Sequence, residues 1–375
     1  MSTTRISALV ERVQTWNPAR EPEREFDYID LSAVDNSSKA ITGATRVSGV
    51  EAPSRARQLV LAGDVLVSTV RPNLNAVAVV PPTLSGATAS TGFTVLRPSP
   101  RIDARYLFHW VRSPQFVSDM VRKSTGASYP AVSDRIVKDS LIPTPDLAEQ
   151  RRIAAILDLA DAIRTKWLQA LAHLESLELS LFRDTFGPPH HWTSAPVGDL
   201  GRVTTGRTPP TGAAGMFDGP IPFVTPGDLS SGVPVVRKVT KQGAAASRLV
   251  RAGSTLVCCI GATIGKVGVT TEPSAFNQQI NAVEWGDSID DAYGLAAMRN
   301  LKPVIVARGA STTLPLLPKG QFVKLQIPVP PLAVQKSFAS RIAQTHTQRA
   351  VITRALAVAD ELFASLQTRA FRGEL

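Results

Sequence analysis

Two long stretches of the chain place apolar residues at alternating steps of three and four, the spacing of helices that pack along their whole length. In the first stretch, 143–186, the seam consists of Ile153, Ile156, Ala160, Ile163, Trp167, Ala170, Leu174, Leu177 and Leu181. In the second, 327–375, it consists of Phe338, Ile342, Thr345, Arg349, Ile352, Leu356, Ala359, Phe363, Leu366 and Ala370. Thr345 and Arg349 interrupt the second seam, so its middle is predicted to be less tightly packed.

Each predicted helix follows a proline-rich turn, and the two turns are related by an internal repeat. Aligning Ile142 with Ile327 also aligns Gln150 with Gln335, an offset of 185 residues. Repeats of this kind determine the architecture, so they are considered before any single motif. At about 1.5 Å per residue, either helix would be roughly 55–60 Å long.

The ends of the first helix carry local signals. Asp146 with Glu149 three residues later fits a capping box at the start. Gly187, followed by Pro188 and Pro189, predicts the end.

Two long seams in one chain most simply pack on each other. One interpretation is a helical core inside one domain, and the other is an antiparallel two-helix spacer between two globular units. The second is favoured, because each helix follows a separate block of similar design. The predicted domains are 1–142, 143–187, 188–326 and 327–375, with a block, a helix, a block and a helix in turn.

The two blocks present similar strand patterns in the same order. A buried strand at 63–70, a turn and a return strand in the first block match 253–260 and 261–269 in the second. The segment 276–283 matches the strand at 93–96, and Gly-Ala-Ser occurs at 126–128 and at 309–311. These patterns predict an α/β (α+β) fold with an internal pseudo-repeat, in which two similar domains are separated by two long antiparallel coiled-coil helices.

Composition narrows the function. The 375 residues carry a formal net charge of +10 and give a pI near 9.9, which favours a polyanionic partner, nucleic acid above all. Many soluble proteins are basic, so charge alone does not decide the question.

The chain has no apolar run of about eighteen residues and its start lacks the apolar core of a signal peptide, so neither membrane insertion nor secretion is expected. Cys258 and Cys259 are adjacent in a strand-like run, which excludes a disulfide framework and fits a cytoplasmic protein.

Catalytic motifs are scarce in the sequence. The segment 261–267 resembles a phosphate-binding loop, but its spacing is one residue short and no Ser or Thr follows Lys266, so a tight turn between strands is predicted instead. No nucleophile elbow occurs. Metal-ligand spacing is absent around the five histidines, which are His109, His173, His190, His191 and His346. The chain is therefore expected to recognise a partner rather than to catalyse a reaction.

Polar residues in or beside the predicted loops are the candidates for recognition. Arginine suits guanine and Asn or Gln suits adenine, while Lys and the remaining Arg would hold phosphates. Any one of these residues, considered alone, is more often a solvated surface residue, and Gln278 and Gln279 could equally bond within a strand. Tyr129 and Phe93 could be core residues. The candidates for DNA binding are Arg71, Asn73, Asn75, Arg135, Arg207, Lys266, Asn277, Gln278, Gln279 and Arg308.

Several segments resemble one known family. They are IPTPDLAEQRRIAAILDLAD at 142–161, IPVPPLAVQ at 327–335 and AFRGEL at 370–375, supported by YIDLSAVD at 28–35 and IPFVTPGDL at 221–229. In these segments the chain resembles the specificity subunits of type I restriction–modification systems. The resemblance extends over nearly the whole chain.

The resemblance implies two target recognition domains, each reading one half of a split site in double-stranded DNA. The long helices would be spacers that dock two methyltransferase subunits, with endonuclease subunits joining the complex in phage defence. S-adenosylmethionine, ATP and Mg²⁺ would be bound by those partners, with no cofactor in this chain. Spacer helices of roughly 55 Å exceed the helical repeat of DNA at about 34 Å, so both heads could reach successive major-groove faces. Arg349, unusual within a seam, is expected to face a partner subunit.

Two alternative functions are also consistent with the pattern. One is a specificity subunit of a related methylation-based defence system with different partners. The other is a coiled-coil scaffold whose two heads bind protein. A steep salt dependence of DNA binding would separate both nucleic-acid interpretations from the scaffold.

Overall fold

A computed structural model describes residues 2–126, 129–187, 192–230, 235–310 and 314–375. The chain forms two compact units: unit 1 consists of Met1–Trp167 with Leu356–Leu375, and unit 2 of Leu168–Ala355. Ala127, Ser128 and Ser311 of the predicted Gly-Ala-Ser loops lie outside the described residues, as do Pro188 to His191 after the first long helix.

Unit 1 begins with a series of short strands and ends with helices. Its strands are β1 (Thr3–Arg5), β2 (Val10–Glu11), β3 (Glu25–Ile29), β4 (Val34–Asp35), β5 (Ala40–Ile41), β6 (Thr45–Ser48), β7 (Ala56–Leu59), β8 (Val65–Ser68), β9 (Val77–Val79), β10 (Thr88–Ser90), β11 (Phe93–Pro98) and β12 (Leu141–Pro143). Its helices are α1 (Ala104–Val111), α2 (Pro114–Lys123) and α3 (Asp134–Asp139), followed by α4 (Leu147–Phe186), which continues into unit 2. Single 3₁₀ turns occur at Ile6–Ala8, Pro18–Arg20, Leu31–Ala33, Pro72–Leu74 and Pro82–Leu84.

Unit 2 repeats this order of elements. Its strands are β13 (Ser194–Pro196), β14 (Gly201–Thr205), β15 (Phe217–Val224), β16 (Lys238–Val239), β17 (Leu249–Val250), β18 (Thr255–Cys258), β19 (Val267–Val269), β20 (Ser274–Phe276), β21 (Ile280–Trp285) and β22 (Gln326–Pro328). Its helices are α5 (Val197–Leu200), α6 (Lys241–Ala246), α7 (Asp291–Asn300), α8 (Lys302–Arg308), α9 (Lys319–Phe322) and α10 (Leu332–Arg372), with a 3₁₀ turn at Asp228–Ser230.

The sheets of the two units have the same strand order. Unit 1 contains β6-β3-β10-β7 and β2-β11-β8-β9, and unit 2 contains β16-β15-β20-β17 and β14-β21-β18-β19. In each, the second and third strands of the first sheet are parallel (β3 with β10, β15 with β20), whereas the other pairs are antiparallel. Short sheets, β1-β12 and β13-β22, complete the match, and among the described residues unit 1 has an additional hairpin, β4-β5. The predicted pseudo-repeat is confirmed strand by strand.

The central strands of each unit are buried on both faces. In β8, Leu66 packs into one apolar cluster with β3, β10 and β11, while Val65 and Val67 pack into another with α1, α2 and the long helices. In β18, Leu256 and Val257 divide between the corresponding clusters of unit 2. Alternate strand residues point to opposite faces, so a run of apolar residues contributes to two cores at once.

The long helices α4 and α10 run antiparallel in both units. In unit 1, the start of α4 lies by the end of α10, where the Arg152 guanidinium donates to the Leu375 carbonyl at 2.8 Å. In unit 2, Phe182 near the end of α4 contacts Phe338 near the start of α10, with ring centroids 5.8 Å apart. Each unit therefore consists of one strand-rich block and one half of each long helix.

A repeated glutamine contact ties each long helix to its block. Gln150 accepts a hydrogen bond from the Asp103 backbone N–H at 2.9 Å and donates to the Pro145 carbonyl at 2.9 Å. Gln335 accepts from the Asp290 N–H at 2.8 Å and donates to the Pro330 carbonyl at 2.8 Å. Both amides are fully buried. The predicted equivalence of the two glutamines is confirmed by their contacts.

The seam predicted for α10 agrees with the structure throughout, and the seam predicted for α4 agrees at every position except Ile163 and Leu177. Every predicted α10 position is buried or half-buried, including Ile342, Ile352, Leu356, Phe363 and Leu366. In α4, Ile153 is buried and Ile156, Trp167 and Leu174 are half-buried. Ile163 and Leu177 are exposed, and their neighbours Arg164 and Glu178 face the other helix instead, contacting Asp360 and Thr345 of α10 respectively.

Charged side chains account for the two differences. The covered face of α4 also includes Leu157, Asp161, Arg164, Glu178 and Phe182, each one residue after a predicted position. Three of these side chains are charged, and a search for apolar residues overlooks them. Arg349, which was expected to face a partner subunit, forms an ion pair within the chain, its guanidinium lying 3.1 Å from Glu175 of α4.

Candidate nucleic-acid interface

In unit 2, several candidate residues meet where β14 ends and where β20 turns into β21. The backbone N–H groups of Gly206 and Arg207 donate to the carbonyls of Ile280 and Phe276, both at 3.0 Å. The Thr208 hydroxyl donates to the Gln278 side-chain oxygen at 2.6 Å. The 206–208 loop and the 277–279 turn thus form one surface, which with Arg248 we name loop edge 2.

The three amides of the 277–279 turn have different roles. Asn277 is buried, and its oxygen accepts the Gln279 backbone N–H at 3.1 Å while its nitrogen donates to the Gln279 side chain at 3.1 Å. Gln279 also donates weakly to the Ile260 carbonyl at 3.4 Å. Gln278 is exposed. Asn277 and Gln279 therefore stabilise the turn, and Gln278 is the amide that can reach an external partner.

Gly206 makes the close approach of the two segments possible. A Cβ at this position would lie 2.0 Å from the Asn277 carbonyl oxygen and 2.6 Å from the Phe276 ring. Only a residue without a side chain lets the loop cross the turn at this distance.

Arg248 belongs to the same surface, although sequence reasoning missed it. The buried Ser247 hydroxyl donates to the Arg207 carbonyl, which places the next residue, Arg248, beside the loop. Arg207 and Arg248 are both exposed. Arg248 is identified by the contact that its neighbour Ser247 makes with Arg207, and no local sequence pattern predicts that contact.

In unit 1, the loops around the equivalent turn form loop edge 1, which comprises Arg55, the 71–73 segment, the 90–92 turn and Tyr129. The Arg71 backbone N–H donates to the Pro130 carbonyl at 2.7 Å, and its guanidinium lies 4.7 Å from the centre of the exposed Tyr129 ring. Tyr129 is therefore not a core residue, whereas Phe93 is buried. Asn73 is exposed in the same segment.

The 90–92 turn of unit 1 is the counterpart of the 277–279 turn of unit 2. The residue after each turn has the same register: Phe93 lies opposite Ser68 in β8, and Ile280 lies opposite Cys258 in β18. The 90–92 turn contains Ser-Thr-Gly where unit 2 has Asn-Gln-Gln. The Thr91 backbone N–H donates to the Arg55 carbonyl at 2.9 Å, so Arg55, also missed from sequence, lies beside this turn. The two edges share a backbone frame and differ in side chains.

Four predicted DNA-binding residues lie elsewhere. Asn75, in a left-handed conformation with φ of 50°, donates to the Arg112 carbonyl at 3.2 Å and thereby ends α1. Arg135 is in helix α3, not in a loop, and lies 3.3 Å from Asp139 one turn away. Arg308 is the exposed last residue of α8. Lys266 lines a cavity beside the long helices.

The loop-edge arginines differ electrostatically from most other arginines of the chain. Among the residues that the structure describes, the ion pairs within 4 Å include none of Arg55, Arg71, Arg207 and Arg248. Elsewhere, pairs such as Arg97 with Asp64 at 2.8 Å neutralise the cation. Unpaired exposed guanidinium groups are suited to phosphate and to base edges.

Other groups that could carry chemistry lie outside the two loop edges. Burial raises the pKa of the Cys259 thiol to about 12, so it remains protonated at neutral pH. Within the described ranges, no three His, Cys, Asp or Glu side chains are grouped as metal ligands. No helix in the described part of the chain has the length and apolar character needed to cross a membrane.

Comparison with known proteins identifies the family. Residues 58–175 and 189–356 each match the model of the type I restriction modification DNA specificity domain, so that most of the chain is covered by two copies. The chain belongs to this family. The two matches lie in the two halves of the repeat, each including the central strands and part of a long helix.

Individual members of the family are distant in sequence. The HindI specificity subunit of Haemophilus influenzae is 22% identical over 313 residues, covering 62% of this chain and 68% of that protein. The MjaIX specificity subunit of Methanocaldococcus jannaschii is 24% identical over 165 residues, covering 39% of this chain and 38% of that protein.

Two solved structures share the fold over the full length. A chain from a study of complex assembly and conformational transition in the type I R-M system has a TM-score of 0.55 and 25% identity, covering 100% of this chain and 98% of its own. The type I S subunit from M. genitalium has a TM-score of 0.55 at 12% identity, covering 99% and 96%, and this match supports the fold alone.

Proposed function

We propose that this specificity-family chain is the DNA-recognition subunit of a type I restriction–modification complex, in which units 1 and 2 each read one half of a split site. The observation that carries the proposal is the repeat itself. The same strand order presents an equivalent turn in both units, at 90–92 and at 277–279, and the side chains at and around that turn differ. A protein that reads two different half-sites needs one frame and two sets of contacts.

The side chains at the loop edges suit direct reading of bases. At loop edge 2, Gln278 offers an amide that can make two hydrogen bonds to adenine, and Arg207 can make two to guanine. At loop edge 1, Arg71 stacked on Tyr129 offers a planar guanidinium held in one orientation. Arg55 and Arg248 would contact phosphates and position each unit on the duplex.

The long helices would dock the partner subunits. Several of their apolar side chains are exposed: Leu159, Ile163, Val358 and Leu362 in unit 1, and Leu168, Leu177 and Val351 in unit 2. Exposed apolar groups on a helix surface favour association with another protein. Leu177 and Leu362 are 185 residues apart, at equivalent positions of the repeat. Two equivalent surfaces would suit two methyltransferase subunits, with restriction subunits joining the assembly.

Catalysis and cofactors are assigned to those partners in this proposal. S-adenosylmethionine would be bound by the methyltransferase subunits, and ATP with Mg²⁺ by the restriction subunits. This chain would act by selecting the DNA sequence and holding the partners on it, in the cytoplasm where the DNA lies.

Mapping of methylated adenines in the source genome, with the gene intact and deleted, tests the proposal. We expect methylation of one split motif to disappear in the deletion strain. DNA binding by the purified complex should also weaken steeply with salt. A complex that binds DNA without salt dependence, from a strain whose methylation is unchanged by the deletion, would support the protein-binding scaffold and overturn the proposal.

A further inference from the structure

Unit 2 contains a cavity of about 340 Å³ between the long helices and the block, in the size range of small-molecule sites at roughly 300–1,000 Å³. Its apolar wall includes Leu179 and Phe182 of α4, Leu295 of α7 and Ile342 of α10. None of these residues belongs to loop edge 2. The cavity is therefore a separate feature from the surface proposed to contact DNA.

The charges around the cavity do not balance. Arg299 pairs with Glu178 at 2.8 Å and Arg349 with Glu175 at 3.1 Å. Lys266 and Lys302 also line the cavity, and neither is in an ion pair with any described residue. Two carboxylates thus face four cations, which leaves an excess of positive charge.

Partial burial disfavours the excess of positive charge around the cavity when no anion is bound. The pKa of Arg299 is lowered by its burial and by the neighbouring Arg349, against the opposing effect of Glu178. A negatively charged ligand would relieve the repulsion between these cations. The cavity is consequently predisposed to bind an anion.

The two lysines lie close together. Gly265, with φ of 83°, immediately precedes Lys266, and a Cβ built on Gly265 would lie 3.1 Å from Cγ of Lys302. The side-chain stem of Lys302 therefore lies against the backbone of Gly265, the residue before Lys266. Both side chains line the cavity, so one anionic group bound there would lie near two cations.

Unit 1 has its own side chains at the equivalent place. Phe363 stands where unit 2 has Glu178, and the guanidinium groups of Arg112 and Arg164 lie 5.1 and 5.0 Å from its ring centre. The Lys39 ammonium donates to the Asn75 carbonyl at 2.6 Å. An aromatic ring next to two arginines, with an ammonium nearby, is therefore compatible with this part of the fold.

Unit 2 has the two equivalent arginines but no aromatic side chain at the Phe363 position, so an external molecule would have to supply the ring. Arg299 and Arg349 correspond to Arg112 and Arg164, and Gly265 corresponds to Asn75. We propose that the cavity of unit 2 binds a small aromatic anion, with its carboxylate, sulfonate or phosphate at Lys266 and Lys302 and its ring against the apolar wall.

Titration of the full chain with 1-anilinonaphthalene-8-sulfonate, an aromatic sulfonate that fluoresces when shielded from water, tests the site. We expect saturable binding to the wild type. The double variant Lys266→Ala, Lys302→Ala should bind roughly tenfold more weakly, because both cations next to the sulfonate are lost. Ala76 is the residue at the Lys266 position in unit 1, so alanine is compatible with the strand.

Two further variants control the result. Lys319→Ala with Lys324→Ala removes the same charge at exposed positions outside the cavity lining and should leave binding unchanged. Ala296→Phe fills the cavity without changing charge, at a position where unit 1 has the ring of His109, and should abolish binding. Wild-type titration curves for both the double lysine variant and Ala296→Phe would overturn the proposal. Equal losses in the cavity and control lysine variants would also overturn it.

Discussion

Arg164 of α4 forms an ion pair with Asp360 of α10 inside unit 1, with Nε 2.6 Å from Oδ1. The same pair occurs in unit 2 with the helices exchanged, because Arg349 of α10 lies 3.1 Å from Glu175 of α4. Both the arginines and the acids are separated by 185 residues. The two long helices therefore contact each other through a polar link that the repeat has preserved in both units.

Removing either partner of the unit 1 pair should have unequal effects. Asp360→Asn breaks only a half-exposed ion pair and should cost at most about 1 kcal/mol of unfolding free energy. Arg164→Ala should cost more, because the guanidinium also lies 5.0 Å from the Phe363 ring centre and covers it. Urea denaturation followed by circular dichroism measures both. A larger loss for Asp360→Asn would show that the ion pair, not the packing, dominates.

Much of the architecture could be predicted from sequence. Gln150 and Gln335 defined the repeat, and the apolar spacing of α10 defined its contact line correctly. In α4 the same reasoning selected Ile163 and Leu177, which are exposed. Periodicity reports where apolar residues recur, whereas the contact line of α4 also uses charged residues whose partners lie far away in sequence.

The corrected contact line of α4 predicts a contrast between two apolar residues on one helix. Leu157 is fully buried in the core of unit 1, so Leu157→Ala should cost about 2–5 kcal/mol of unfolding free energy. Ile163 is 40% exposed, so Ile163→Ala should change stability by no more than about 0.5 kcal/mol.

Co-purification with the methyltransferase subunit tests whether the exposed Ile163 side chain contacts a partner. If its exposed side chain contacts a partner, Ile163→Ala should weaken co-purification of that subunit while leaving the melting temperature unchanged. A strongly destabilised Ile163→Ala variant would restore the contact line originally predicted from sequence.

The candidate site was predictable only in part. Arg207 and Gln278 were found because loops are rich in polar residues, and the structure brings them into one surface. Arg55 and Arg248 were missed, since their position depends on contacts across the sheet. Asn75 was misjudged, because an asparagine in a left-handed turn can bond to its own fold.

Base reading at loop edge 2 should be separable from folding. Gln278→Ala should relax or change one base of the unit 2 half-site and leave the unit 1 half-site unaltered, because the side chain is exposed and Asn277 maintains the turn. Motif mapping by methylation sequencing measures this. Asn277→Ala is the contrasting variant, with a general loss of binding by unit 2 expected. A motif unchanged by Gln278→Ala would remove this residue from the base contacts.

Phosphate anchoring predicts a different signature for Arg248. Arg248→Ala should lower DNA affinity for every sequence alike and reduce the magnitude of the salt slope by about 0.9. Lys266→Ala is the matched control, because this lysine faces the cavity beside the long helices and not the loop edge. Equal effects of the two substitutions would show that only the overall charge of unit 2 matters.

The free energy of unfolding should depend on pH through a buried histidine and the carboxylate that it contacts. The ring of His109 is fully buried in unit 1, and Nε2 lies 2.7 Å from Asp158 Oδ1. Burial lowers the pKa of His109 below 6.5, although the hydrogen bond to Asp158 opposes the shift. Burial would raise the pKa of Asp158, but the bonds from His109 and Arg105 lower it from 3.8 to about 2.

Both shifts have the same sign for stability. Each group binds a proton more readily in the unfolded chain, so stability is lost as pH falls, first below about 6.5 through His109 and then between about 4 and 2 through Asp158. His346 of unit 2 also has a lowered pKa because it is half-buried, and contributes in the first window. Unfolding free energy measured from pH 8 to pH 3 should therefore decline in two stages.

His109→Gln isolates the first stage in unit 1. Glutamine can still donate a hydrogen bond to Asp158 but does not titrate, so the decline between pH 6.5 and pH 5 should be shallower than in the wild type. The decline below pH 4 should persist, since Asp158 keeps its bonds from Arg105. His346→Gln provides the matched variant in unit 2, and the double variant should be flattest. Parallel curves for the wild type and His109→Gln would mean that His109 binds protons equally well in the folded and unfolded chain.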